Sequence, residues 1–124
     1  VIENFEEFTF DLTRQELENV LVMERMLVKF LPYGGRHPVK QDVLCSLINL
    51  QLKKEGIDFS IIPTRLRKYF NYFRCKGKIP IIATGRGCYY GNSAEVIRSE
   101  IRSLEQRASQ ILRAADGLRS LIPD

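Results

Sequence analysis

The sequence predicts a mainly α-helical fold with one small β-hairpin, an α+β class, and three observations carry that expectation. Helical periodicity of apolar residues recurs in four blocks separated by Pro, Gly or Ser punctuation. One stretch, residues 79–90, instead gathers β-branched and aromatic residues around Gly85-Arg86-Gly87. The 124 residues, 44% hydrophobic and 27% charged, fit one globular domain over 1–124 with a single core.

Residues 1–36 are expected to form an arm and a helix. The arm, 1–10, alternates loosely around Phe5, Phe8 and Phe10. Thr13-Arg14-Gln15-Glu16 has the capping-box pattern, in which a hydroxyl accepts an early helix N–H and the glutamate reaches back. The helix is expected to run to Leu31 and stop at Pro32-Tyr33-Gly34-Gly35, and its many apolar residues suggest burial on two sides. A second helix should start near Pro38, with Val43, Leu44, Leu47, Ile48, Leu50 and Leu52 inward, and end at Lys53-Lys54-Glu55-Gly56. Ser60 is expected to cap a third helix ending about Cys75, with Pro63 in its first turn. Ile79–Thr84 and Cys88–Tyr90 read as strands, and Ser93 caps a last helix that reaches about Leu121.

Helix, helix, hairpin over residues 38–91 is the order of a winged helix-turn-helix core. It is flanked by the N-terminal helix and a long C-terminal helix, 93–122. No separate turn helix is visible between the second and third helices, and 50–59 would have to supply it.

Net charge is +4, yet residues 59–94 alone hold seven bases and no acid. Such a segment makes a local positive field, the footprint expected of a polyanion-binding surface. On a helical wheel of residues 61–75, Ile62, Leu66, Tyr69 and Phe73 fall within roughly 60° and form a core stripe. Thr64, Arg67, Lys68, Asn71, Arg74 and Cys75 collect opposite. An arginine fork matches guanine N7 and O6, and an asparagine amide matches adenine N6 and N7, so Arg67, Lys68, Asn71 and Arg74 are the expected groove contacts. Thr64, Lys76, Lys78 and Arg86 are assigned to phosphates or the wing. Arg86, at the tip of the hairpin, also suits a narrow minor groove.

In the last helix Ile97, Ile101, Leu104, Ala108, Ile111, Ala115, Leu118 and Ile122 recur at spacings of 4 and 3, a heptad seam. A homodimer through Ile97, Ile101, Leu104, Ile111 and Leu118 is expected, and packing on the helix at 13–31 is the alternative. Two recognition helices of a dimer would meet successive major grooves.

Nothing points to catalysis, to a cofactor or to a small-molecule ligand. His37 is the single histidine, and Cys45, Cys75 and Cys88 have no zinc-ligand spacing. Neither a phosphate loop nor a dinucleotide fingerprint is present. The odd cysteine count fits a reducing cytoplasm. No run of 18 apolar residues is present, and no apolar, base-flanked segment opens the chain at Val1, so no membrane contact is expected.

Residues 78–118, KIPIIATGRGCYYGNSAEVIRSEIRSLEQRASQILRAADGL, carry a resemblance to winged-helix proteins of bacterial chromosomes and of phage or mobile elements. The matching positions are Phe73-Arg74, Pro80-Ile81-Ile82, Cys88-Tyr89-Tyr90 and Ser103-Leu104-Glu105-Gln106-Arg107-Ala108. The helix ending in Leu31-Pro32 and the loop before Val39 extend the likeness to about 12–122. Cys88 stands where that group has glycine. The resemblance implies a winged helix-turn-helix fold and DNA binding. The reading as a whole is a cytoplasmic, non-catalytic binder of double-stranded DNA in transcription regulation or mobile-element maintenance. The rival is a protein-protein interaction module or a replication accessory factor.

Overall fold

A computed structural model describes residues 11–123, so the arm expected over 1–10 lies outside the described residues. The elements are α1 (Arg14–Glu18), α2 (Val20–Phe30), α3 (Gln41–Lys54), α4 (Pro63–Cys75), β1 (Ile81–Thr84), β2 (Gly87–Tyr90) and α5 (Ala94–Arg119). The protein is mainly helical with a two-stranded antiparallel hairpin and a long C-terminal helix, as the sequence predicts. It divides into two compact units, with the boundary between Gly91 and Asn92.

In the first unit the capping box forms as expected. Thr13 Oγ1 accepts from the Glu16 N–H at 3.3 Å, and Glu16 Oε1 accepts from the Thr13 N–H at 2.8 Å. The single helix expected over 13–31 is interrupted at Asn19, whose side-chain amide donates to the Gln15 carbonyl. A short polar side chain that bonds its own backbone competes with the helical ladder in this way. The expectation of two buried faces on this helix is corrected. Met23, Met26 and Leu27 are buried, whereas Leu17, Leu21 and Val28 are exposed.

Helix α3 starts at Gln41 rather than near Pro38, because Val39 belongs to an extended segment paired with β2. Its N–H donates to the Cys88 carbonyl at 2.9 Å, and its carbonyl accepts from the Cys88 N–H at 2.7 Å. Pro32 and Gly34 bond Tyr90 in the same manner. The hairpin therefore has a third, irregular edge that the sequence pattern did not reveal. Gly87 is required there: its φ is +137°, and a Cβ would come within 2.7 Å of the Val39 carbonyl oxygen.

The inward stripe of α3 is Leu44, Cys45, Ile48 and Leu52, while Val43, Leu47 and Leu50 are exposed, which corrects their expected burial. Helix α4 begins at Pro63, and Ser60 does not cap it through its side chain. The connection is instead held by Asn49, whose amide donates to the Ile61 carbonyl and whose oxygen accepts the Ile61 N–H. This brace buries Ile61 and leaves Ile62 exposed, so Ile61 takes the core place expected for Ile62. Residues 55–62 form no turn helix. The core joins Met23, Met26 and Leu27 of α2 and Leu44, Ile48 and Leu52 of α3 to Leu66, Tyr69, Phe70 and Phe73 of α4, with Ile81 and Cys88 from the hairpin.

In the second unit Ser93 caps α5 as expected, its Oγ accepting from the Val96 N–H. The helix ends at Arg119, and none of its residues is fully buried.

Candidate nucleic-acid interface

Helix α4 carries bases on two sides, and the two sides have different partners. On one side Glu16, 2% exposed, receives Lys68 Nζ at 2.6 Å and Arg65 Nε at 2.8 Å. Tyr69 completes the joint by donating its hydroxyl to the Glu16 carbonyl. Burial pulls the Glu16 carboxyl upward, but hydrogen bonds from Lys68, the Thr13 N–H and Arg65 hold it below the ordinary value of 4.5. Burial also raises the Tyr69 hydroxyl. A carboxylate that both caps α1 and receives two bases of α4 fixes the attitude of α4 on the fold.

This arrangement removes Lys68 from the outward face, where the helical wheel places it. The wheel gives Lys68 an angle but not a partner, and Glu16 lies fifty-two residues earlier in the chain. Arg74 is also engaged inward, its Nε donating to the Ile81 carbonyl at 3.0 Å, so it ties α4 to β1.

On the other side Thr64 and Arg67 are exposed and Asn71 is half-buried, a stripe at i, i+3 and i+7. Arg67 Nη1 donates to Gln41 Oε1 at 3.1 Å, at the start of α3. The preceding residue, Lys40, donates from Nζ to the Gly85 carbonyl at 2.8 Å, at the tip of the hairpin. Arg86 is exposed beside Gly85, on a two-residue turn where Thr84 Oγ1 accepts the Arg86 N–H. Through these contacts α4, the first turn of α3 and the wing tip form one continuous surface bearing Lys40, Arg67 and Arg86. Asp42 is the carboxylate of that first turn.

Lys40 and Gln41 were missed by the sequence reasoning. They stand at the N-cap and the first position of α3, and what hid them was the expectation that this helix began at Pro38. Lys76 and Lys78 are exposed past the end of α4, with the Lys76 ammonium 5.6 Å from the centroid of the Tyr72 ring. They belong to the turn into β1, apart from the Arg67 contacts.

No family model, curated protein or solved structure matches the chain. Tyr89 and Tyr90 are half-buried: Tyr90 packs on Tyr33 with centroids 5.6 Å apart, and Tyr89 covers Gly35. Cys45 and Cys88 are buried and Cys75 is exposed. Burial, aided by Asp42 and opposed by Arg67, pushes the Cys45 thiol up to about 11, so it is a protonated core residue at neutral pH. Among the described residues no cluster of three or more His, Cys, Asp or Glu could hold a metal ion. Among the same residues, no helix is long and apolar enough to cross a membrane.

Proposed function

We propose that the protein binds double-stranded DNA without catalysis, presenting α4 to the major groove and the β1–β2 tip to the flanking backbone, as a dimer through α5. The observation that carries this reading is the joining of Arg67, Lys40 and Arg86 across three elements by the Gln41 and Gly85 contacts. A groove-reading helix needs neighbours that hold its register on phosphates, and the α3 start, bonded to Arg67 of α4 and to the hairpin tip, supplies basic neighbours for such contacts. The absence of acids from 59–94 adds a field of the right sign. Arg67 and Asn71 are the base-reading candidates, with Lys40, Thr64, Lys76, Lys78 and Arg86 on phosphates. The odd cysteine count supports a cytoplasmic setting. The resemblance of 78–118 supports a regulator of transcription or a factor of phage or mobile elements.

The test is retention of mixed genomic fragments by the purified protein over a salt series, with sequencing of the retained DNA. An enriched motif, with log K falling by about 0.9 per phosphate neutralised for each unit of log salt, is the expected result. No retention at low salt overturns the proposal. That outcome would favour the protein-interaction reading, whose own support is the exposed apolar residues Leu17, Leu21 and Val28 on α1 and α2.

A further inference from the structure

The geometry points to an antiparallel arrangement of α5 with α5 of a second copy, a reading that rests on the dimer proposed above and specifies it. Ile101, Leu104, Ile111, Leu112 and Leu118 of α5, with Leu121 and Ile122 just beyond it, are 37–76% exposed. The exposed fractions of the seam residues Ile101, Leu104, Ile111, Leu118 and Ile122 amount to about three whole leucine-sized residues per copy, which with the side chains flanking the seam approaches the roughly 800 Å² per partner that a stable interface covers. Monomers rarely leave so much contiguous apolar surface in water.

The choice of occupant and direction comes from the order of large and small residues. Along the exposed seam the sequence is Ile101, Leu104, Ala108, Ile111, Ala115, Leu118. In a parallel pair each residue meets its own copy. Ala108 would face alanine, and so would Ala115, while the layers between and beside them would be large on both sides. Two thin layers then alternate with thick ones, and the helices must leave voids or bend. In an antiparallel pair with the two-fold axis between Ser109 and Gln110, Ala108 meets Ile111, Ala115 meets Leu104, and Ile101 meets Leu118. All six positions pair under that one register, and each alanine faces a large residue. Such self-matching is what a second copy of this chain supplies and an unrelated helix does not.

Flanking charge does not decide the direction. The parallel pair sets Glu100 against Glu105, and the antiparallel pair sets Arg98 against Arg119. The first of these is relieved by Arg107 on the same helix, and the second by Asp116. Size is the discriminating property.

The test uses the full chain with Cys75→Ser, since Cys75 is the exposed thiol, and Ala94→Cys carrying a spin label at the start of α5. At 1.5 Å rise per residue, antiparallel pairing puts the two labelled positions roughly 46 Å apart, whereas a parallel pair puts them about 10 Å apart. A long distance is expected, and a short one overturns the direction while leaving the dimer. A monomer at every concentration overturns both, and with them the dimer of the proposed function, while DNA retention is read separately in the genomic-fragment assay. As a second readout, Ala108→Leu is expected to raise the dimer Kd about tenfold or more, because it overpacks against Ile111. Tighter dimerisation by that variant, the result of filling a thin parallel layer, would equally sink the antiparallel register.

Discussion

The two sides of α4 look alike in sequence and differ in structure. Arg65 and Lys68 close on a buried carboxylate, whereas Arg67, one and two residues away, faces outward to Gln41 at the start of α3. Counting bases along 59–94 treats all of them as one positive surface. The structure sorts them by the location of a single acid, Glu16 of α1. A base that meets a buried acid orients the helix, and a base that meets only a neutral amide keeps its charge for a partner. The proposed interface thus depends on both sides: Glu16 sets the angle at which Arg67 is presented.

The largest way to break this division is Glu16→Ala. It leaves Lys68 and Arg65 without their carboxylate and removes one half of the capping box, so a loss of about 3–5 kcal/mol in urea unfolding is expected. A loss below about 1 kcal/mol would show that the joint is peripheral. Acidification should remove part of the same stabilisation. The folded-state pKa of Glu16 lies below its ordinary value of 4.5, so the carboxylate stabilises the fold fully above that value. The contribution declines as pH falls from about 4.5 through the lower folded-state pKa. A pH series of unfolding midpoints, with Glu16→Ala lacking this component of the decline, checks the sign.

On the outward side Arg67→Ala should leave the unfolding free energy within about 0.5 kcal/mol, since its partner Gln41 remains solvated. Affinity for an enriched DNA motif should fall by about 1–3 kcal/mol with relaxed preference at one base position, and Asn71→Ala should act on a different position. Equal weakening on every sequence would reassign both residues from bases to phosphates.

The fold was legible in the sequence wherever a local rule sufficed. The Thr13–Glu16 box, Pro63 in the first turn of α4, Ser93 as the α5 cap and the glycine-flanked hairpin all rest on residues within a few positions of one another. Reading failed where a distant partner decided the outcome. Val39 is drawn out of α3 by Cys88, Ile62 loses its core place because Asn49 grips Ile61, and Lys68 turns to Glu16. For the candidate site, Thr64 and Arg67 keep the exposure that periodicity gives them, and Arg86 the exposure that its turn gives it. Lys40 required knowledge of the wing tip, which lies forty-five residues later. An amphipathic pattern with more than one apolar stripe, as on α2, leaves a further ambiguity, because periodicity says that both exist and not which one the core covers.

The smallest effects separate the two kinds of base by salt dependence alone. Lys76 is exposed, so Lys76→Ala should weaken binding to all sequences alike and make the log K against log salt slope shallower by about 0.9. Lys68 is 15% exposed and held by Glu16, so Lys68→Ala should lower the unfolding midpoint and leave that slope unchanged once the protein is folded. The comparison is informative because both residues carry the same charge, eight positions apart, and a surface model built from sequence would assign them the same effect. If Lys68→Ala flattens the slope as much as Lys76→Ala does, its bond to Glu16 gives way when DNA arrives, and the inward side of α4 becomes part of the interface. If only Lys76 changes the slope, the buried acid has fixed which bases of this helix are available to a phosphate backbone.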